Sequence, residues 1–254
     1  MKNRLFELDG KVAIITGGAR GIGRAIATGL AEAGANLVIG DIDIEAAAET
    51  CRELGKSGGR AIPVRCDISL SKDADALIKT GIDQFGHIDI LFNNAGISGA
   101  AKPLIGLSDE EWNQTIAVNL SGMFYCSRAA AKEMIKQQSG KIVNITSVAS
   151  FRPLRNSGDY CSSKGGAHML TQVLALELIR HNIKVNEICP GMFDTSLAPK
   201  IKEAMLKNVQ KMIPIGRFAQ AEEIKGLAIF LASQASDYLV GTSIPIDGGA
   251  GIRD

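Results

Sequence analysis

Patterns for binding metal or forming disulfides are missing from this chain of 254 residues. Its five cysteines, Cys51, Cys66, Cys126, Cys161 and Cys189, are odd in number and widely spaced, and no two form a CxxC. The three histidines, His87, His168 and His181, stand apart from one another and from the cysteines, so no metal site is expected. Unpaired thiols fit a reducing compartment, and the expected location is the cytoplasm. No apolar run reaches the roughly 18 residues that span a bilayer. The opening MKNRLFELDGK lacks the apolar core of a signal peptide, so no membrane partner is expected. Excess charge is absent too: 28 basic residues against 27 acidic ones leave a net charge of +1, with the basic residues scattered. That removes the electrostatic footprint of a nucleic-acid-binding protein. No Pro/Ser-rich linker and no internal repeat divides the chain, so one domain over 1–254 is expected.

What is present is a rhythm. Short apolar runs over 12–16, 36–40, 60–66, 88–93, 141–146, 184–189 and 243–246 read as strands. Several, such as VAII and KIVNIT, are apolar nearly throughout, which suits strands covered on both faces. Helical patterns over 22–33, 44–56, 72–85, 109–138 and 160–180 lie between them. Alternation of this kind predicts an α/β fold, a doubly wound parallel sheet of seven strands with helices on both faces. The stretch from about 190 to 220 breaks the rhythm, with Pro199, Pro214 and a short helix expected over 200–211. Such an excursion at the end of a strand is where a lid over a substrate is expected.

After the first strand comes Thr16-Gly17-Gly18-Ala19-Arg20-Gly21-Ile22-Gly23, which opens a helix. Glycines here let a phosphate reach the backbone, and the helix N-terminus offers N–H groups and positive dipole. A tight strand–helix turn with no ligand is the plainer alternative; the flanking strand and helix weigh against it. Asp41 ends the second strand, with Ile42 and Asp43 behind it. A carboxylate at that place can take both hydroxyls of an adenosine ribose and repel a 2′-phosphate. Arg20 pulls the other way, since a basic residue in the glycine loop can pair with that phosphate. Because Asp41 occupies the space such a phosphate needs, NAD is expected in preference to NADP. Asp41 as a solvated loop residue or helix cap is the competing reading.

These residues, with Cys66-Asp67-Ile68, Asn93-Asn94-Ala95-Gly96, Asn119, Ser147, Tyr160-Cys161-Ser162-Ser163-Lys164, Pro190-Gly191-Met192-Phe193-Asp194-Thr195 and Ile246-Asp247-Gly248-Gly249, resemble the compact short-chain dehydrogenases/reductases. The resemblance runs nearly end to end and implies a Rossmann-type domain. It also implies that Asp67 and the backbone of Ile68 hold the adenine and that Asn93 to Gly96 pack beneath the dinucleotide. Pro190, Gly191, Met192, Phe193 and Thr195 are then expected at the nicotinamide. Gly17, Arg20, Gly21, Ile22, Gly23, Ile42, Cys66, Asn94, Ala95 and Gly96 complete the expected cofactor contacts.

Tyr160 and Lys164, four apart in a helical run, share one face. A phenol with pKa about 10 is a poor base. A neighbouring ammonium and an oxidised nicotinamide ring are expected to make it acidic enough to exchange a proton with an alcohol or ketone. The resemblance implies that Lys164 also binds the nicotinamide ribose. It implies too that Ser147 orients the substrate oxygen and that Asn119 bends its helix and holds a water leading to Lys164. Asn119 as a core asparagine at a kink is the alternative.

Substrate candidates are Ser98, Arg152, Leu154, Arg155 and Met192. Arg152 or Arg155 in the loop before Tyr160 can pair with a carboxylate, or can be exposed or intersubunit arginines. The overall pattern is similar to gluconate- and deoxygluconate-type dehydrogenases, so the expected small-molecule substrate is a sugar acid or polyol. A 3-oxoacyl-acyl-carrier-protein reductase-like ketoreductase ranks second, and a non-catalytic dinucleotide sensor third. The apolar Met169-Leu170 and Val173-Leu174-Ala175-Leu176 are either core or the seam of a homotetramer, with a dimer as the simpler assembly.

Overall fold

In the computed structural model the chain is described over residues 4–56, 59–194 and 209–252. Seven strands build one sheet: β1 (Val12–Thr16), β2 (Asn36–Asp41), β3 (Ala61–Arg65), β4 (Ile90–Asn93), β5 (Gly140–Ile145), β6 (Ile183–Pro190) and β7 (Ser243–Ile246). Their order is β3-β2-β1-β4-β5-β6-β7, and every pairing is parallel. The order reverses between β1 and β4, which opens a crevice at the C-terminal ends of those strands.

Strand alternation divides the core in two. Ala13 and Ile15 of β1 face one side, with α1 (Gly21–Glu32), α2 (Ile44–Lys56) and the helix Lys225–Ala232. Val12 and Ile14 face the other, with α3 (Ser71–Phe85), α5 (Met123–Gln137) and α6 (Gly158–Leu178). Burial on both sides is why β1 reads as an unbroken apolar run. The outermost strands, β3 and β7, carry Pro63 and Pro245 in their interiors. A residue without an N–H is tolerated at a sheet edge and discourages edge-to-edge pairing.

The helix expected over 109–138 is found over 109–137, and its course changes at Asn119, the residue expected to bend it. It runs as α4 (Asp109–Ile116), opened by a Ser108/Glu111 capping box, then a π-helical turn (Ala117–Gly122), then α5. The π-helical turn centres on Asn119, whose Oδ1 accepts from the Ile97 N–H at 2.8 Å while Nδ2 donates to the Ile97 carbonyl at 2.9 Å. That demand on one side chain is met by widening the helix locally.

Residues 195–208, and with them Thr195 and most of the helix expected over 200–211, lie outside the described residues. One helical turn, Val209–Met212, is described. The two ends of the excursion are tied by a parallel bridge between Phe193 and Ala219, where no strand pairing was expected. The Ala219 N–H donates to the Met192 carbonyl at 3.0 Å and the Asp194 N–H to the Ala219 carbonyl at 2.7 Å. No helix among the described residues is long and apolar enough to cross a membrane.

Candidate active site

The glycine turn sits where β1 meets the crevice. Gly17 and Gly21 have φ of 62° and 53°, a left-handed backbone that favours glycine. A Cβ on Gly17 would lie 2.8 Å from the Ala95 Cα, and one on Gly23 would lie 2.1 Å from the Gly17 carbonyl oxygen. Asn94 staples the turn, donating through Nδ2 to the carbonyls of Thr16 and Gly17 at 3.0 and 2.9 Å. The Thr16 hydroxyl accepts from the N–H groups of Asn94 and Ala95 at 3.0 and 3.1 Å. The glycines and Asn94 thus hold the floor of the crevice together. No side chain caps the start of α1, and no acid occupies its first turn. That leaves an uncompensated positive helix end for a phosphate.

At the end of β2 the Asp41 carboxylate accepts from the Ala19 N–H and the Asp43 N–H, both at 3.1 Å. It is thereby fixed beside the glycine turn with lone pairs to spare for hydroxyl donors. The Arg20 guanidinium turns to Asp43 at 2.7 Å. Asp43 is held below the ordinary carboxylate range first by the Ala46 N–H and then by Arg20. Ile42 is exposed, and Cys66 is buried with its thiol pushed up to about 12 by desolvation. Asp67 accepts from the Ser69 N–H at 3.0 Å and its hydroxyl at 2.6 Å, and Ile68 is buried beside it. A crevice floored by glycine, open at a helix N-terminus and edged by Asp41 fits a dinucleotide.

Across the crevice, Ser147 follows β5, and Tyr160 and Lys164 lie in the first turns of α6. The Lys164 side chain is buried, and its Nζ donates to the Ile145 carbonyl at 2.9 Å, leaving two donors. Burial pushes this ammonium down to about 8, against the pull of Glu187 and Cys189. Burial raises the Tyr160 phenol above its ordinary value, hydrogen bonding with Ser147 draws it back, and Cys161 adds to the rise. With the protein's own groups alone, burial is thus the largest influence on the phenol. The Lys164 Nζ lies 5.9 Å from the ring centroid and is itself depressed toward the neutral amine.

Asn119 reaches the same place: Nδ2 also donates to the Ser163 hydroxyl at 3.1 Å, so both amide hydrogens are spent. A Cβ on Gly96 would lie 3.1 Å from the Asn119 Oδ1 and 3.6 Å from the Lys164 Nζ. Pro190 ends β6, and the Gly191 N–H donates to the Ile246 carbonyl at 3.0 Å, with Met192 and Phe193 half-buried beyond it.

Of the substrate candidates, Ser98 lines a small pocket with Ile97, Gly99, Ala100, Glu111, Gln114 and Thr115. Arg152 is engaged, donating through a guanidinium nitrogen to the Ala250 carbonyl. Arg155 and Leu154 are exposed, and among the described residues the Arg155 side chain has no hydrogen-bond or ion-pair partner.

Three groups were not anticipated. Asp159, buried next to Tyr160, accepts from the Ala100 N–H at 3.0 Å and the Thr115 hydroxyl at 2.9 Å, fixing the pocket wall. Asn93, Asn144 and Thr171 form a buried chain linking β4, β5 and α6. Glu187, fully buried on β6, meets His168, which stands alone in the sequence. A charged residue inside the apolar run VNEIC was the available signal for Glu187.

Comparisons with known proteins agree on one kinship. The family pattern described as "Enoyl-(Acyl carrier protein) reductase" matches residues 17–251. The chain is 38% identical to 5-keto-D-gluconate 5-reductase of Escherichia coli (strain K12), covering 97% of this chain and 98% of that protein. It is 36% identical to the 3-oxoacyl-[acyl-carrier-protein] reductase of Synechocystis sp., covering 96% and 98%. Among solved structures, a gluconate 5-dehydrogenase from Burkholderia cenocepacia J2315 in complex with NADP and tartrate superposes with a TM-score of 0.94 at 38% identity, covering 99% of each chain. A short-chain type dehydrogenase/reductase from Mycobacterium marinum superposes with a TM-score of 0.94 at 34% identity, covering 98% of each.

Proposed function

Since the chain belongs to the short-chain dehydrogenase/reductase family, we propose that it interconverts a secondary alcohol and its ketone, with a sugar acid or polyol as substrate and NAD as the preferred cofactor. The observation that carries this is the meeting of Ser147, Tyr160 and Lys164 at the sheet edge that also bears the glycine turn.

A bound nicotinamide would supply the acceptor for the hydride of the alcohol carbon and, in its reduced form, the hydride for the ketone. Ser147 hydrogen-bonds the substrate oxygen and holds it against the Tyr160 hydroxyl. Tyr160 takes the alcohol proton in oxidation and gives one to the carbonyl oxygen in reduction. Lys164, with two donors left, would bind the nicotinamide ribose and supply positive charge that favours phenolate. Asn119, by fixing Ile97 and Ser163, holds the loop beside Gly96 and the start of α6 in register.

NAD is preferred because Asp41 is anchored by two backbone N–H groups, so its charge cannot swing away from a 2′-phosphate. Arg20, the residue that could welcome that phosphate, is held by Asp43. The gluconate 5-dehydrogenase that superposes on this chain holds NADP, so the preference proposed here rests on this chain's own residues. The exposed Arg155 supplies the charge for a substrate carboxylate. A homotetramer is part of the same reading. Met169, Val173 and Leu176 form an exposed apolar stripe on α6, while Ala175 and Leu178 face the core.

The test is turnover of sugar acids, polyols and neutral secondary alcohols with NAD and NADP, followed at the reduced-nicotinamide absorbance band. Sugar acids with NAD are expected to lead, and Tyr160→Phe to lower kcat by about 10² or more. Activity undiminished in Tyr160→Phe would remove the catalytic assignment. Neutral alcohols outperforming sugar acids would remove the substrate class.

A further inference from the structure

We propose that Glu187, clamped by His168, is a positioning residue whose buried negative charge keeps Lys164 in its ammonium form. The inference rests on the reading above for its consequence in catalysis, and on geometry for its substance.

Glu187 lies on β6, between Asn144 of β5 and Ser243 of β7 in register, and is fully buried. It shares parity with Val185, which packs into the core on the α6 side, so it too faces α6. There Tyr160, Lys164 and His168 follow one another at four-residue intervals and form a single stripe. The His168 Nδ1 meets the Glu187 Oε1 at 2.6 Å, and the Ser243 hydroxyl donates to the same oxygen. The Phe151 ring stands edge-on to the His168 ring, with 4.6 Å between centroids, and fixes it.

The other Glu187 oxygen, Oε2, is buried without a hydrogen-bond partner among the described residues. A carboxylate so placed is costly unless a cation answers it through space. On Oε1 converge the Cys189 thiol at 3.6 Å, the Ser243 hydroxyl of β7 and His168 of α6, with Thr146 of β5 beside that thiol and Lys164 one helical turn before His168. Lys164 is the ammonium among them. Glu187 is the largest influence opposing the effect of burial on Lys164. Without it, less opposes the effect of burial on the lysine nearest the reacting phenol.

Lys164 is followed by NMR in protein carrying isotope-labelled lysine, with no nucleotide added, its signal assigned by its loss in Lys164→Arg. In Glu187→Gln its titration midpoint is expected to fall by about 1 unit or more. His168→Leu, which strips the clamp and leaves β6 untouched, is expected to move it the same way. His168→Gln, which keeps a donor, is expected to restore most of the loss. The pH profile of kcat in Glu187→Gln is expected to shift, with KM for substrate little changed. A Lys164 midpoint unmoved in a folded Glu187→Gln overturns the inference. If Glu187→Gln does not fold, an unmoved midpoint in His168→Leu overturns it equally. Shifted midpoints in a protein with no dehydrogenase activity would instead sink the proposed function and leave this inference standing.

Discussion

Replacing Lys164 by methionine should make the protein more stable at neutral pH while abolishing turnover. The ammonium is buried, and its pKa falls from the ordinary 10.5 to about 8. At about 1.4 kcal/mol per pH unit, that drop is a folding cost of about 3 kcal/mol. The folded value lies below the unfolded one, so the cost is fully present below pH 8. It fades as the pH rises from 8 to 10.5, where the amine is neutral in both states. Methionine has similar length and no charge to desolvate, but it gives up the hydrogen bond to the Ile145 carbonyl, worth about 1 kcal/mol. The net gain expected at pH 7 is about 2 kcal/mol, turning to a loss of about 1 kcal/mol above pH 10.5. Urea unfolding of both proteins at neutral and alkaline pH, at one protein concentration and without nucleotide, measures the difference. A methionine variant that is less stable at pH 7, or a difference that does not change with pH, would refute the reasoning. The same lysine that weakens the fold is the one assigned to the chemistry, which is the usual direction of the trade between stability and activity.

Asp41→Ser, which removes the anchored charge, is expected to raise kcat/KM with NADP relative to NAD by about tenfold or more, since one charge pair at short range exceeds about 1.4 kcal/mol. An unchanged ratio of the two specificity constants would show that Asp41 does not select. Gly23→Ala places a Cβ 2.1 Å from the Gly17 carbonyl oxygen and 2.4 Å from the Asn94 Nδ2, so the floor must open. Loss of NADH fluorescence enhancement and a lowered melting temperature are expected, and a normal titration curve would count against that packing. Because burial raises the Tyr160 phenol, its base form grows toward alkaline pH. kcat/KM for alcohol oxidation should therefore rise with pH and that for ketone reduction should fall, as initial rates in both directions will show.

Much of this site was legible because its recognition depends on local spacing. A glycine turn between an apolar run and a helix, a carboxylate ending the next strand, and a tyrosine and lysine one helical turn apart are short-range features. The helix over 109–138 and its bend at Asn119 were legible, but not that the bend is a π-helical turn held by Asn119 bonding to Ile97, twenty-two positions away. Arg152 and Arg155 look alike in sequence and both are exposed, yet only Arg152 is bound to the Ala250 carbonyl. The burial that raises the Tyr160 phenol is reported by no local pattern.

The order of apolar and polar residues by itself determined the alternation of strands and helices, the parallel sheet and the dinucleotide crevice. These follow from backbone geometry and from which side chains water rejects. Only the tertiary structure decided which distant polar groups share the dry interior. Asp159 meets Ala100 and Thr115, and Glu187 meets His168, because strand order and register brought their elements together. The energy of a buried charge depends on such partners and on the absence of water, and neither is written in the neighbouring residues of the chain.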